Sequence, residues 1–249
     1  MPYVSRRGIS PALYFGPLPK GVKWLLIINI SLFIVQFLAG LVGISDIFDG
    51  LALWPRAVLT FPALWQLVTY MFLHGGISHI LFNMFALWMF GTDLERDWGT
   101  THFLRYYFLC GIGAGVCVVL ASRVFGGMDI PTIGSSGAIF GLLLAFGVLY
   151  PERIILFSFL FPIQAKYFVM IIGAITFLSS LAGSRSGVSH VAHLGGMIFG
   201  YIYLTKGCMR FSLRESLQRA YHSWRIGRAR KKFQVYIRKH NSKGNPWVN

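Results

Sequence analysis

The sequence predicts an all-α fold, a polytopic membrane protein whose six transmembrane helices form a bundle. Three observations carry that expectation. Hydrophobic residues make up 55% of the chain, charged ones only 12%, and the mean hydropathy is +0.60. Soluble domains carry about a quarter charged residues. The apolar residues gather into blocks near the ~20 that a helix needs to cross a ~30 Å hydrocarbon core. Lys and Arg are segregated: with both termini on the inner side, only Arg56, Arg123 and Arg185 of the 23 fall outside. Positive charge collects on the cytoplasmic side of membrane proteins, so both termini are expected to be cytoplasmic.

The first block, residues 24–44, carries no charge and follows a basic, Pro-rich stretch. No clean small-residue cleavage site follows it, so it reads as a retained span and not a signal peptide. The second span is expected over 78–92, the third over 103–122 and the fourth over 136–150. The fifth is expected over 166–183 and the sixth over 188–205. Residues 45–77 form a long outer loop rich in Phe48, Leu51, Leu53, Trp54, Phe61 and Trp65. Such a loop either lies in the bilayer interface, where aromatics are favoured, or packs on the outer ends of the spans. The expected organisation is a cytoplasmic segment 1–21, a membrane core 22–206 and a basic cytoplasmic tail 207–249.

The net charge of +15 arises mostly after Lys206. A basic stretch beside a span points to anionic lipids and orientation, not to nucleic acid. The tail reads either as an amphipathic helix on the inner leaflet or as a disordered basic segment. The three cysteines, Cys110, Cys117 and Cys208, form no disulfide framework and have no metal-ligand spacing.

Polar residues inside the spans carry the functional reading, because ionisable groups in lipid are costly. The fourth span is short. From Ser136 to Pro151 a helix rises only ~22–23 Å, and Pro151-Glu152-Arg153 holds its inner end at the surface. Ser136 then starts a helix ~8 Å below the outer hydrocarbon edge. The sixth span enters near Gly187, and six residues carry His193 ~9 Å deep. A serine and a histidine at one depth can perform acyl transfer, with His193 taking the proton from Ser136 and returning it to the leaving amine. Gly134 and Gly137 allow close backbone approach, and a helix N-terminus favours a developing oxyanion. The alternative is that GSSG is an ordinary capping turn with small residues for helix packing. His79 and Asn83 lie at i and i+4 on one face of the second span. Both side chains can donate to an oxyanion, although a lone intramembrane Asn also serves as helix–helix glue. No Asp or Glu falls at this depth on the outer side, which favours a Ser-His dyad over a triad.

Three segments together, HGGISHILFN at 74–83, GSSGAIFG at 134–141 and AHLGGMIFG at 192–200, resemble the rhomboid intramembrane serine proteases in order and in span. The resemblance covers about residues 24–205. It implies Ser136 as nucleophile and His193 as general base, with His79, Asn83 and the Ser136 N–H forming the oxyanion hole. It also implies that His190 is the noncatalytic member of the HxxH pair. His74 would help hold the outer loop, Glu95 would be structural, and Gly196 and Gly200 would let the sixth helix approach the fourth. Two positions depart from the family pattern: Gln66 stands where Arg is common, and Phe140 where Tyr is common. Phe140 is still able to stack on the His193 ring.

The implied function is a serine endopeptidase that cleaves single-span or polytopic membrane proteins near the outer face, with no cofactor and no metal. A bacterial cytoplasmic membrane is the implied location. An intact helix hides its carbonyls in hydrogen bonds, so substrates should carry helix-weakening residues near the cut. Two alternatives stand beside this: a non-catalytic rhomboid-like binder or escort of membrane proteins, and a transporter lined by His74, His79, His190 and His193.

Overall fold

The computed structural model describes residues 17–157, 161–181 and 187–206. The expected roles of the basic tail therefore lie outside the described residues. Helix α1 spans Lys20–Leu41, and a 3₁₀ turn follows at Ser45–Leu51. Two short helices come next, α2 (Pro55–Thr60) and α3 (Gln66–Thr69), the latter running into a 3₁₀ turn at Tyr70–Phe72. Helix α4 (Ile77–Ala86) continues through a π turn at Leu87–Gly91 into α5 (Thr92–Trp98). After these come α6 (Thr100–Phe125), α7 (Ser136–Leu149), strands β1 (Ile154–Phe157) and β2 (Phe161–Gln164), α8 (Ala165–Leu181) and α9 (Gly187–Lys206). The described residues through Tyr203 form one compact unit, and 204–206 belong to a second.

This is the architecture of a helical integral membrane protein. Among the described residues, α1 with 22 residues and α6 with 26 are each long and apolar enough to cross a bilayer unaided. The segments Gln66–Phe72 and Ile77–Trp98 pass the same requirement as a pair bent by 99°, and α7 and α8 are apolar but shorter. A short α7 is what its sequence requires: ~21 Å of helix between a glycine-rich turn and Pro151.

One short stretch among the described residues is not helical. β1 and β2 form an antiparallel hairpin, with Ile155 opposite Ile163 and Ile154 opposite Gln164. Branched and aromatic residues fit a pleated surface well, and this run is too short to be a span. The span limits also shift. The second helix reaches Trp98 instead of 92, because the π turn lets the chain continue helically past Gly91. The first ends at Leu41, where Gly43 adopts φ +76° and turns the chain.

Helix α6 is the central post. Its residues Phe103, Tyr106, Tyr107, Cys110, Ala114 and Val118 are buried, at the i, i+3, i+4, i+7 spacing of one helix face. Around it pack α1, α2, α3, α5 and α7. Large apolar residues stand exposed, such as Leu120, Val124 and Phe125 on α6 and Met170, Ile175 and Leu178 on α8. The segment 45–77 packs in part on the helices. Leu53, Ala63, Tyr70 and Met71 are buried, while Leu59, Phe61, Leu64 and Trp65 stand exposed.

Glu95 ties α5 to the start of α1. Its buried carboxylate accepts the Gly21 and Val22 N–H groups, each at 2.7 Å, and the Thr100 hydroxyl at 2.6 Å. A carboxylate at the start of α1 satisfies N–H groups that a helix leaves unpaired and complements its dipole. Glu95→Ala is expected to destabilise the protein by about 2–5 kcal/mol, since charged hydrogen bonds are lost and donors are left buried. Thermal unfolding in detergent micelles checks this.

Candidate functional site

The chain reaches Ser136 through a loop pinned to the segment 53–70. Leu53 and Thr132 exchange both backbone hydrogen bonds, at 3.0 and 2.9 Å, and the Arg56 N–H donates to the Met128 carbonyl at 3.0 Å. The Arg56 guanidinium grips the Asp129 carboxylate with two bonds, at 2.5 and 2.7 Å. The Gly134 N–H donates to the Tyr70 carbonyl at 2.8 Å, with Gly134 at φ +116°. Only glycine adopts that conformation cheaply. Any side chain at Gly134 would also meet the His79 ring at 2.7 Å. Ser135 then caps α7, but its side chain makes no capping bond. The first N–H groups of α7 are thus not consumed by an ordinary capping turn.

Arg56 holds the Asp129 carboxyl below the usual carboxylate range. The folded value is lowered, so the pair's contribution is present above the ordinary carboxylate pKa and lost as pH falls through the depressed one. The pair is fully exposed, and such pairs contribute little to global stability. Asp129→Asn is therefore expected to leave the fold intact while speeding amide hydrogen exchange at Leu53, Arg56 and Thr132 at neutral pH. Wild type should show the same loss of protection, taken relative to the intrinsic exchange rate at each pH, only on acidification.

Helix α9 brings His193 to Ser136, with Nε2 2.8 Å from the serine Oγ. The imidazole stacks flat on Phe140, centroids 4.1 Å apart and planes 1° from parallel. Phe140 is one helical turn after Ser136, so a single helix carries the hydroxyl and the surface that orients its partner. The close approach rests on glycine. A Cβ on Gly196 would collide with the Gly137 carbonyl oxygen, and one on Gly141 would lie 2.5 Å from Cys110 Sγ. A Cβ on Gly200 would first meet the Tyr106 hydroxyl and Cys110 of α6.

His79 and Asn83 line the same cavity from α4. The Gly75 N–H donates to His79 Nδ1 at 3.3 Å, which leaves Nε2 as the protonated, donating nitrogen. Asn83 is buried, and its Nδ2 has no hydrogen-bond partner among the described residues. The buried His74 ring lies edge-on to His79 with centroids 5.1 Å apart, and its backbone N–H donates to Gln36 Oε1 at 3.2 Å. His190 sits 6.0 Å from His193, ring to ring. Gln66, at the position where Arg was expected, is a loop hub: its amide oxygen accepts the Trp54 N–H at 3.0 Å and its amide nitrogen donates to the Gly50 carbonyl at 3.3 Å.

These side chains surround a cavity of about 360 Å³ lined by Ser136, His193, His79, Asn83 and Phe140, with Ser78, Phe82 and Thr132 among the rest. The arrangement offers a nucleophile with a base in contact, and two donors converging on the space beside it. That combination suits acyl transfer. The role of Tyr70 was not legible in the sequence. Its carbonyl anchors Gly134, and its hydroxyl donates to the Gly111 carbonyl at 2.7 Å. A backbone acceptor has no residue signature, so no sequence signal marks it. Among the described residues, no three His, Cys, Asp or Glu side chains are grouped to hold a metal ion.

The family model for the rhomboid domain matches residues 62–210. "Rhomboid protease GluP" of Bacillus subtilis (strain 168) is 38% identical over 137 residues, covering 55% of this chain and 25% of that protein. "Putative rhomboid protease YdcA" of the same organism is 34% identical over 141 residues, covering 55% and 64%. "Rhomboid protein 1, mitochondrial" of Saccharomyces cerevisiae is 33% identical over 137 residues, covering 53% and 38%. The chain thus spans less than two thirds of each of these relatives.

Proposed function

Since the chain belongs to the rhomboid family, we propose that it is an intramembrane serine endopeptidase that cuts transmembrane segments of other membrane proteins near the outer face. The carrying observation is the 2.8 Å contact between His193 Nε2 and Ser136 Oγ on the wall of a cavity of about 360 Å³. In this reading α1, the α4–α5 helix and α6 to α9 are six spans with both termini cytoplasmic, in a bacterial cytoplasmic membrane. The uneven distribution of Lys and Arg supports that orientation.

Ser136 Oγ attacks the scissile carbonyl carbon as its proton passes to His193 Nε2. The resulting oxyanion is met by His79 Nε2–H, Asn83 Nδ2 and the Ser136 N–H at the start of α7. Collapse breaks the C–N bond, and His193 returns the proton to the departing amine. A water entering from the outer side then loses its proton to His193 and attacks the acyl carbon, releasing Ser136. No neighbouring carboxylate enters this scheme. The Phe140 ring takes over part of the positioning that an acid supplies in a triad. The substrate must unwind locally to present a carbonyl, since a helix in lipid keeps its backbone groups paired.

Asn83→Ala is expected to lower kcat by about 10²–10³-fold, the scale for one oxyanion donor, with KM little changed because the donor acts when charge develops. The proposal is tested by reconstituting the protein with a single-span reporter in vesicles and mapping the cut. Cleavage within the outer half of the reporter span is the expected result. A wild-type protein that binds the reporter without cutting it would establish the non-catalytic escort instead.

A further inference from the structure

Between Arg153 and Lys166 the chain carries no charged residue, yet it forms the β1–β2 hairpin. Ile155 is buried against the fold, while Ile154 is 49% exposed and Phe161 65% exposed. By the register Ile154 lies on the face opposite Ile155, and Phe161 shares the Ile155 face farther from the base, so apolar side chains stand uncovered on both faces of the hairpin. The charges gather at its base. Arg153 pairs with Asp93 at 3.0 Å, Lys166 pairs with Glu152 at 2.7 Å, and the Tyr150 hydroxyl donates to Asp97. These groups mark the level of the headgroups at the Pro151 end of α7. β2 passes into α8 without a break, and α8 presents exposed Tyr167, Met170 and Ile171, part of the apolar surface that an integral membrane protein turns to lipid. The uncovered hairpin residues continue that surface.

Two constraints then limit where the hairpin lies. In water, an isolated two-stranded hairpin is marginally stable and its exposed apolar edge invites aggregation. In the hydrocarbon core, the unpaired backbone groups along its two edges would each cost several kcal/mol. Only the boundary between headgroups and acyl chains satisfies both. We propose that β1–β2 is an interfacial membrane anchor, seated at that boundary in the leaflet next to the Pro151 end of α7, where it fixes the start of α8. This rests on membrane integration alone and not on the protease reading.

The test uses the full chain with Cys110, Cys117 and Cys208 replaced by Ala and a single Phe161→Cys carrying an environment-sensitive fluorophore. Phe161 is exposed, so the fold should persist, and circular dichroism verifies it. Vesicles of phosphatidylcholine and phosphatidylglycerol contain lipids with a doxyl quencher near either the carbonyl or the methyl end of the chain, or iodide on both sides. Quenching strongest from the carbonyl-end doxyl, and weak from iodide, is the expected result. Glu152→Cys serves as the solvated reference and should show the reverse. Iodide quenching at 161 equal to that at 152 overturns the proposal, as does strongest quenching from the methyl end. A probe insensitive to every quencher, as beneath a second copy of the chain, overturns it too.

Discussion

Ser136→Ala is expected to lower reporter cleavage by about 10⁴-fold or more, the scale seen when a serine nucleophile is removed, while the fold survives. The hydroxyl lines the cavity and bonds His193. Its removal takes away one small polar group and opens no large void in the apolar core. The unfolding temperature should therefore stay near wild type. His193→Ala is expected to cost a similar factor in rate but more in stability, because it also strips the ring that stacks on Phe140 at 4.1 Å. Since the two act as a unit, the double variant should be scarcely slower than either single one.

Gly196→Val is the second large effect, and here fold and activity are expected to fail together. The added Cβ would occupy the place of the Gly137 carbonyl oxygen, and a backbone atom inside a helix cannot swing aside like a flexible side chain. Relief requires α9 to move away from α7. Overpacking of this kind costs about 1–3 kcal/mol or more. A displacement of ~1 Å between reacting groups lowers rates by about 10²-fold, and Gly137 directly follows Ser136. Cleavage should thus fall further than the loss of stability alone explains. Gly40→Ala is the matched control: nothing lies within 4 Å of a Cβ there, so both unfolding temperature and rate should hold.

How much of this was legible in the sequence depends on what each feature needs to be seen. The shared depth of Ser136 and His193 follows from two helix lengths, because charges and Pro151 mark where helices meet the surface. The structure has those side chains in contact. The stacking of Phe140 was legible only through the family resemblance. The hairpin was not legible, because a short apolar run has no periodicity that separates strand from loop or buried helix. The contact of Gly200 with α6 was not legible because a small-xxx-small pattern announces a close contact without naming the other helix. Gln66 read as a departure from a pattern. Its amide bonds two loop backbones, which only the folded course of residues 50–54 reveals. Glu95 read as structural, but the N–H groups it closes lie 73 and 74 residues away.

The central claim is that Ser136, activated by His193, forms a covalent acyl link to its substrate. Labelling the reconstituted protein with a serine-reactive phosphonate, followed by mass mapping of the modified peptide, tests it without knowledge of the natural substrate. The expected result is a single adduct on Ser136 that is absent from Ser136→Ala and greatly slowed in His193→Ala, with cleavage lost in step. An adduct on another residue, or reporter cleavage that persists in Ser136→Ala, would contradict it.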